Sequence, residues 1–224
     1  MSKSKLRLQI ADSRAQGIQF NSLLKKWEKT LRPSDIEMLR DLAQDKKLKD
    51  TDRYIAFMGM VRLGGKKSAA WVRPFLKDSS WMMRSAALQG VAILGPEAAK
   101  GETSQEVFNL ATKDPALVIR SQALETVAAL KIPGTARVLL QSLEDKKNYN
   151  AGKPVLIPQK AIRVLSSLPV ETVLQEGGPL TAERLKAVSK KYSANHRFRL
   201  DIARLVAKLK IPSKTSLNAK ASKK

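Results

Sequence analysis

One segment of this chain repeats, and the repeat limits the fold more than any single residue does. The stretch from Asp78 to Gly95 and the stretch from Asp114 to Lys131 each open on an Asp and carry an Arg six residues later. Both continue Arg-Ser-x-Ala-Leu-x-x-Val-Ala-x-Leu, and the two copies, anchored at Arg84 and Arg120, lie 36 residues apart. Self-similarity at a period of 20–50 residues marks an array of small units, none of which can bury its apolar face alone. Such an array offers a long surface rather than a deep catalytic pocket.

Fainter copies extend the array. Upstream, Arg53 opens a segment ending on Leu63-Gly64, where the next copy has Leu94-Gly95. Downstream, the segment from Pro158 keeps the apolar spacing without the Arg, and a last copy begins at Arg199. Its ending, Leu209-Lys210-Ile211-Pro212, duplicates Leu130-Lys131-Ile132-Pro133 at an offset of 79 residues, about two units.

Each copy reads as a pair of helices. Ala86, Ala87, Val91 and Leu94 fall on one helical face, as do Ala123, Leu124, Val127 and Leu130. A shorter amphipathic helix precedes each, over Ser68–Lys77 and Ser104–Lys113. Asp78 and Asp114 stand just before the second helix, where a carboxylate accepts from free backbone amides and favours the positive helix end. Pro33, Pro133 and Pro179 suit first turns, and Gly64 and Gly95 suit helix ends. The fold class is all-α.

These units resemble HEAT repeats of the short bacterial type also found in phycobilin lyases, through Asp78/Arg84 and Asp114/Arg120 and the Ala-Leu pattern that follows. The resemblance covers residues 33–212, most strongly 68–133. It implies a right-handed α-solenoid of about five helix pairs, with inner helices on a concave face. It also implies a structural ladder of contacts between neighbouring units, made by Asp78, Arg84, Asp114 and Arg120. The expected organisation is a basic, partly helical N-terminal segment (1–30), a solenoid (31–212) and a disordered basic tail (213–224).

Charge supplies the functional clue. The chain carries 42 Lys and Arg against 20 Asp and Glu, a net +22. Residues 181–224 hold 13 of the cations against only Glu183 and Asp201, so half the excess sits in the last fifth of the chain. Such an end is an electrostatic footprint for a polyanion. Aligned on the Arg of each copy, positions +2, +5 and +9 share one side of the helix. That stripe is mixed early and basic late, at Lys160, Arg163, Arg204 and Lys208. With Arg199, Lys190, Lys191 and Arg197 it forms the candidate polyanion site. The expected partner is nucleic acid, held through its backbone with little base specificity, since only Gln89 and Gln122 offer base-reading amides on the stripe. The alternative is a scaffold for an acidic protein.

Other constellations favour structure over chemistry. Arg53 and Arg199 lack a turn Asp at the repeat spacing and are read as freer to bind. Trp27, Trp71 and Trp81 are read as core. Gly59–Ser68 echoes a phosphate-binding loop, but Gly65 occupies the Lys position and a helix precedes it. With one His and no Cys, no catalytic residue, metal ligand set or cofactor is assigned. Among enzymes of this architecture, bacterial alkylpurine DNA glycosylases are similar in length and charge. The chain shares only isolated parts with them, Trp81 and an Asp78 already assigned to the turn. The charged opening lacks a signal-peptide core and predicts a cytoplasmic protein, or an exported one if the chain is a mature form. Asp114→Ala is expected to lower stability by about 0.5–2 kcal/mol through loss of its amide contacts, measured by chemical denaturation.

Overall fold

The structure is a computed structural model describing residues 1–192 and 195–210. The tail expected at 213–224 lies outside the described residues. Those described are overwhelmingly helical, and the protein is all-α. It divides into two compact units, Met1–Leu110 and Ala111–Lys224.

The first unit contains α1 (Lys3–Ala15), α2 (Phe20–Thr30), α3 (Pro33–Gln44), α4 (Asp50–Gly64), α5 (Ala69–Val72) and α6 (Trp81–Leu94). The boundary falls within α7 (Glu102–Lys113). Helix α4 carries Arg53 and α6 carries Arg84, and these two second helices pack flank to flank. Helix α3 lies against α4. Pro33 opens α3, where its missing N–H costs nothing. Gly65 and Gly95 end α4 and α6 at positive φ of 51° and 83°.

The helix expected over Ser68–Lys77 is broken. Only α5 is α-helical there, and 3₁₀ turns flank it at Gly65–Ser68 and Arg73–Lys77. Pro74 supplies the reason, having no amide to continue the helical ladder.

The basic segment 1–30 folds as α1 and α2 and packs into this unit, with Leu6, Ile10, Leu23 and Trp27 buried. Trp27 is wholly enclosed, and its Nε1 donates to Gln9 Oε1 at 2.9 Å. Its ring fills a notch on α4 at Gly59, where a Cβ would lie 2.6 Å from Trp27 Cζ3. Phe57 makes an edge-on contact with Phe75 at 4.8 Å between centroids and sits close over Gly90 of α6.

The second unit contains α8 (Leu117–Ala129), α9 (Thr135–Glu144), α10 (Leu156–Ser167), α11 (Val170–Gly177), α12 (Thr181–Lys191) and α13 (His196–Lys210). Helices α8, α10 and α13 are the second helices of the last three copies. α10 packs against α8 on one flank and α13 on the other. Behind them α9 lies against α10 and α11, and α12 lies against α13. The polar stretch Glu144–Pro154 contains a small feature absent from the sequence reading. Strands β1 (Tyr149–Asn150) and β2 (Lys153–Pro154) pair antiparallel across Ala151 and Gly152. Both turn residues have positive φ, 47° and 74°, as a tight two-residue hairpin turn requires.

Gly59→Ala is expected to destabilise the protein by about 1–3 kcal/mol, because Trp27 has no room to retreat. Thermal denaturation should show the lower midpoint.

Candidate nucleic-acid interface

The Asp and Arg that mark the repeat are structural, and they act in two ways. Each turn carboxylate receives a backbone amide two residues on: Ser80 N donates to Asp78 Oδ1 at 2.9 Å, and Ala116 N to Asp114 Oδ1 at 2.8 Å. Each Arg donates to the backbone carbonyl of its own turn Asp, Arg84 to Asp78 O at 2.9 Å and Arg120 to Asp114 O at 2.7 Å. The carboxylate of Asp78 meets the Arg of the preceding copy instead, since Arg53 Nη2 donates to Asp78 Oδ2 at 2.5 Å. Downstream, Arg120 Nη2 reaches Asn148 Oδ1 at 3.4 Å. Asn148 lies 34 residues after Asp114, where the next turn Asp would fall.

Arg53, read from the sequence as freer to bind, is therefore committed. Its side chain is only 3% exposed, its Nε donates to Ala43 O at 2.9 Å, and Asp50 accepts from Nη1 at 3.0 Å. The spacing search missed Asp78 because the partner sits in the following copy. Burial works against the charge on Asp78, but hydrogen bonds from Arg53 and the Ser80 amide outweigh it and hold the carboxyl below its ordinary value. Asp78 is thus not an exposed acid. Of the tryptophans, Trp27 is core as expected, and Trp71 is partly buried beneath the Arg40 guanidinium at 5.1 Å. Trp81 is 54% exposed, contrary to the core reading. It is the first residue of α6, where a side chain projects past the packed flank.

The cations of the second unit separate into two groups. Arg163 on α10 and Arg197, Arg204 and Lys208 on α13 line one groove of about 550 Å³. Residues 197, 201, 204 and 208 recur at helical spacing, so one face of α13 supplies them. Gln159 and Ser166 border the groove from α10, and Asn195 from the start of α13. The side chains of Ile162, Phe198 and Leu205 form its apolar floor. Asp201 is the single carboxylate among the described lining residues, 3.5 Å from Arg204 Nη1. Lys208 Nζ donates to Ser166 O at 2.9 Å and Leu168 O at 3.3 Å, tying α13 to the carbonyl end of α10.

The remaining sequence candidates lie elsewhere. Lys160 turns toward α8, where it ion-pairs with Glu125 and donates to Ser121 Oγ at 2.6 Å. The face of α10 that borders the groove runs through 159, 163 and 166, one residue off the stripe inferred from the repeat. Arg199, Lys190 and Lys191 are exposed but do not line the groove. Arg199 sits two residues from Arg197, on the other side of α13, and Lys191 lies 5.3 Å from the Tyr192 ring centroid. Asn195 and Gln159 were not singled out by sequence, since neither falls on a repeat-aligned position.

The first unit offers a poorer recess, of about 290 Å³ and mainly apolar, with Leu23, Tyr54 and Met82 among its lining. Its one cation among the described lining residues, Arg14, donates to Asp52 Oδ1 at 2.8 Å. Among the described residues no helix is long and apolar enough to cross a membrane. No protein-family model matches the chain, and no curated protein matches it.

The Asp78 geometry predicts a pH dependence. Its folded pKa is depressed, so its contribution is present above the unfolded value of 3.8 and is lost as pH falls through the folded value. Asp78→Asn is expected to cost about 3 kcal/mol at pH 7, as for a buried pair that loses one partner. That deficit should shrink below pH 3.8, as measured by denaturation at several pH values.

Proposed function

We propose that the protein is a non-enzymatic, HEAT-like repeat protein that binds the phosphate backbone of nucleic acid. The observation that carries this reading is the convergence of Arg163, Arg197, Arg204 and Lys208 on one groove. Three of the four come from a single face of α13, and Arg204 has 77% of its side chain exposed. The repeat reading is supported by the second helices of successive copies, which pack flank to flank within each unit. A net +22 adds long-range attraction for a polyanion and speeds its encounter.

Backbone contact is the primary mode. Guanidinium and ammonium groups match phosphate oxygens, Arg through a planar fork and Lys as a point charge. Such contacts position the strand and carry no sequence information of their own.

The test is a salt series. The logarithm of affinity for nucleic acid should fall linearly with the logarithm of salt concentration as counterions are released. Arg204→Ala combined with Lys208→Ala should weaken binding to all sequences alike and reduce that slope by about 1–2. Wild-type affinity and slope in this variant would remove the groove from the reading. Weak binding that the variant leaves unchanged would favour an acidic protein partner.

A further inference from the structure

The groove also constrains which nucleic acid it takes. We infer that it holds a single RNA strand, with Asp201 accepting a ribose 2′-hydroxyl between two phosphate contacts. This inference rests on the nucleic-acid reading and sharpens it.

Width is the first constraint. The groove lies between α10 and α13, which pack side by side, and adjacent packed helices have axes about 8–10 Å apart. A cleft one helix spacing wide admits one strand, whereas a base-paired duplex meets only its rim. A volume of about 550 Å³ suits a short run of unpaired nucleotides. The floor of Ile162, Phe198 and Leu205 adds apolar surface for a base face, which a duplex keeps stacked inside itself.

The order of charges is the second. Along α13 the groove reads Arg197, Asp201, Arg204, Lys208. At 1.5 Å of rise per residue, Arg197 and Arg204 are roughly 10 Å apart along the axis, and Arg204 and Lys208 about 6 Å. Asp201 stands between the first two cations, with its side chain 38% exposed. A phosphate cannot sit against that carboxylate, so a site for uniform polyanion capture gains nothing from it. An ionised carboxylate is acceptor-only, and what it can hold is a donor lying between two phosphates. In an RNA strand the 2′-hydroxyl is such a donor, repeated at every nucleotide and missing from DNA. Gln159 and Asn195 add amides at the rim. Asp201 is then a specificity-determining residue, and the cations around it supply affinity.

The experiment compares an RNA 12-mer, the DNA 12-mer of the same sequence and the RNA–RNA duplex, using the full chain at one fixed salt concentration. The expected wild-type result is RNA strand over DNA strand by about ten-fold, the worth of one hydrogen bond to a charged acceptor. The duplex should bind more weakly than the RNA strand. Asp201→Ala should bring the RNA-to-DNA ratio close to one while raising affinity for DNA, with the helical circular dichroism unchanged. The DNA strand gains because the substitution removes a repelling charge. Equal wild-type affinity for the two strands would overturn the inference, as would a duplex bound as tightly as the RNA strand. An Asp201→Ala ratio equal to wild type would do the same. In each of these cases the salt-dependent loss in the Arg204/Lys208 variant would still uphold backbone binding. If none of the three ligands binds, both readings fall.

Discussion

Everything in these two units depends on helices that must pack on both flanks. Helix α4 lies between α3 and α6, and α10 between α8 and α13. A helix enclosed in this way cannot keep a single apolar stripe, and α4 buries Ala56, Phe57, Met58, Gly59, Met60 and Val61 in succession. Close approach then demands small residues opposite large ones. Gly59 receives the Trp27 ring and Gly90 lies under Phe57, so the bulk of one helix occupies the notch of the next. The regular Ala positions of the repeat have the same origin, with Ala86, Ala87 and Ala123 all fully buried.

The same constraint decides what an arginine can do. Arg53 is in the densely packed α4, where its guanidinium has lost nearly all contact with water and needs two carboxylates and a carbonyl as substitutes. Arg204 is on α13, whose buried residues Phe198, Ile202, Leu205, Val206 and Leu209 leave a polar face uncovered. Its nearest carboxylate is 3.5 Å away and its solvation is largely intact. One residue type therefore locks a fold in the first unit and presents charge in the second, and burial alone separates the two outcomes.

This is also why part of the molecule was legible in the sequence and part was not. The helix pairs were legible because the apolar period and the turn Asp are local signals, and all five copies place their second helix where the repeat predicts. Three of the four stripe residues, Arg163, Arg204 and Lys208, meet at one groove for the same reason. Partnership between copies was not legible. The carboxylate that binds Arg53 is Asp78, 25 residues away, and the pair of Lys160 is Glu125, 35 residues away. Neither distance is a multiple of helical spacing, so only packing brings them together. Trp81 shows the opposite failure. Composition favours burial for tryptophan, but the first turn of a helix can project beyond the core it belongs to.

The groove between α10 and α13 is finally where the fold works against itself. On α8 and α10 the stripe cation Lys160 is neutralised by Glu125, and on α12 Arg184 is held by both oxygens of Glu144. In the groove four cations share one carboxylate among the described lining residues. Gathering like charges on adjacent faces raises the free energy of the unliganded state by mutual repulsion. An anion that binds only the folded protein relieves this repulsion and adds its own contacts, so ligand and fold stabilise each other. Helices that needed only to be solvated could have spread these charges around their circumference, as Arg199 is placed on the far side of α13. Their concentration on one face, floored by apolar side chains and interrupted by a single acid, is the arrangement of a binding surface.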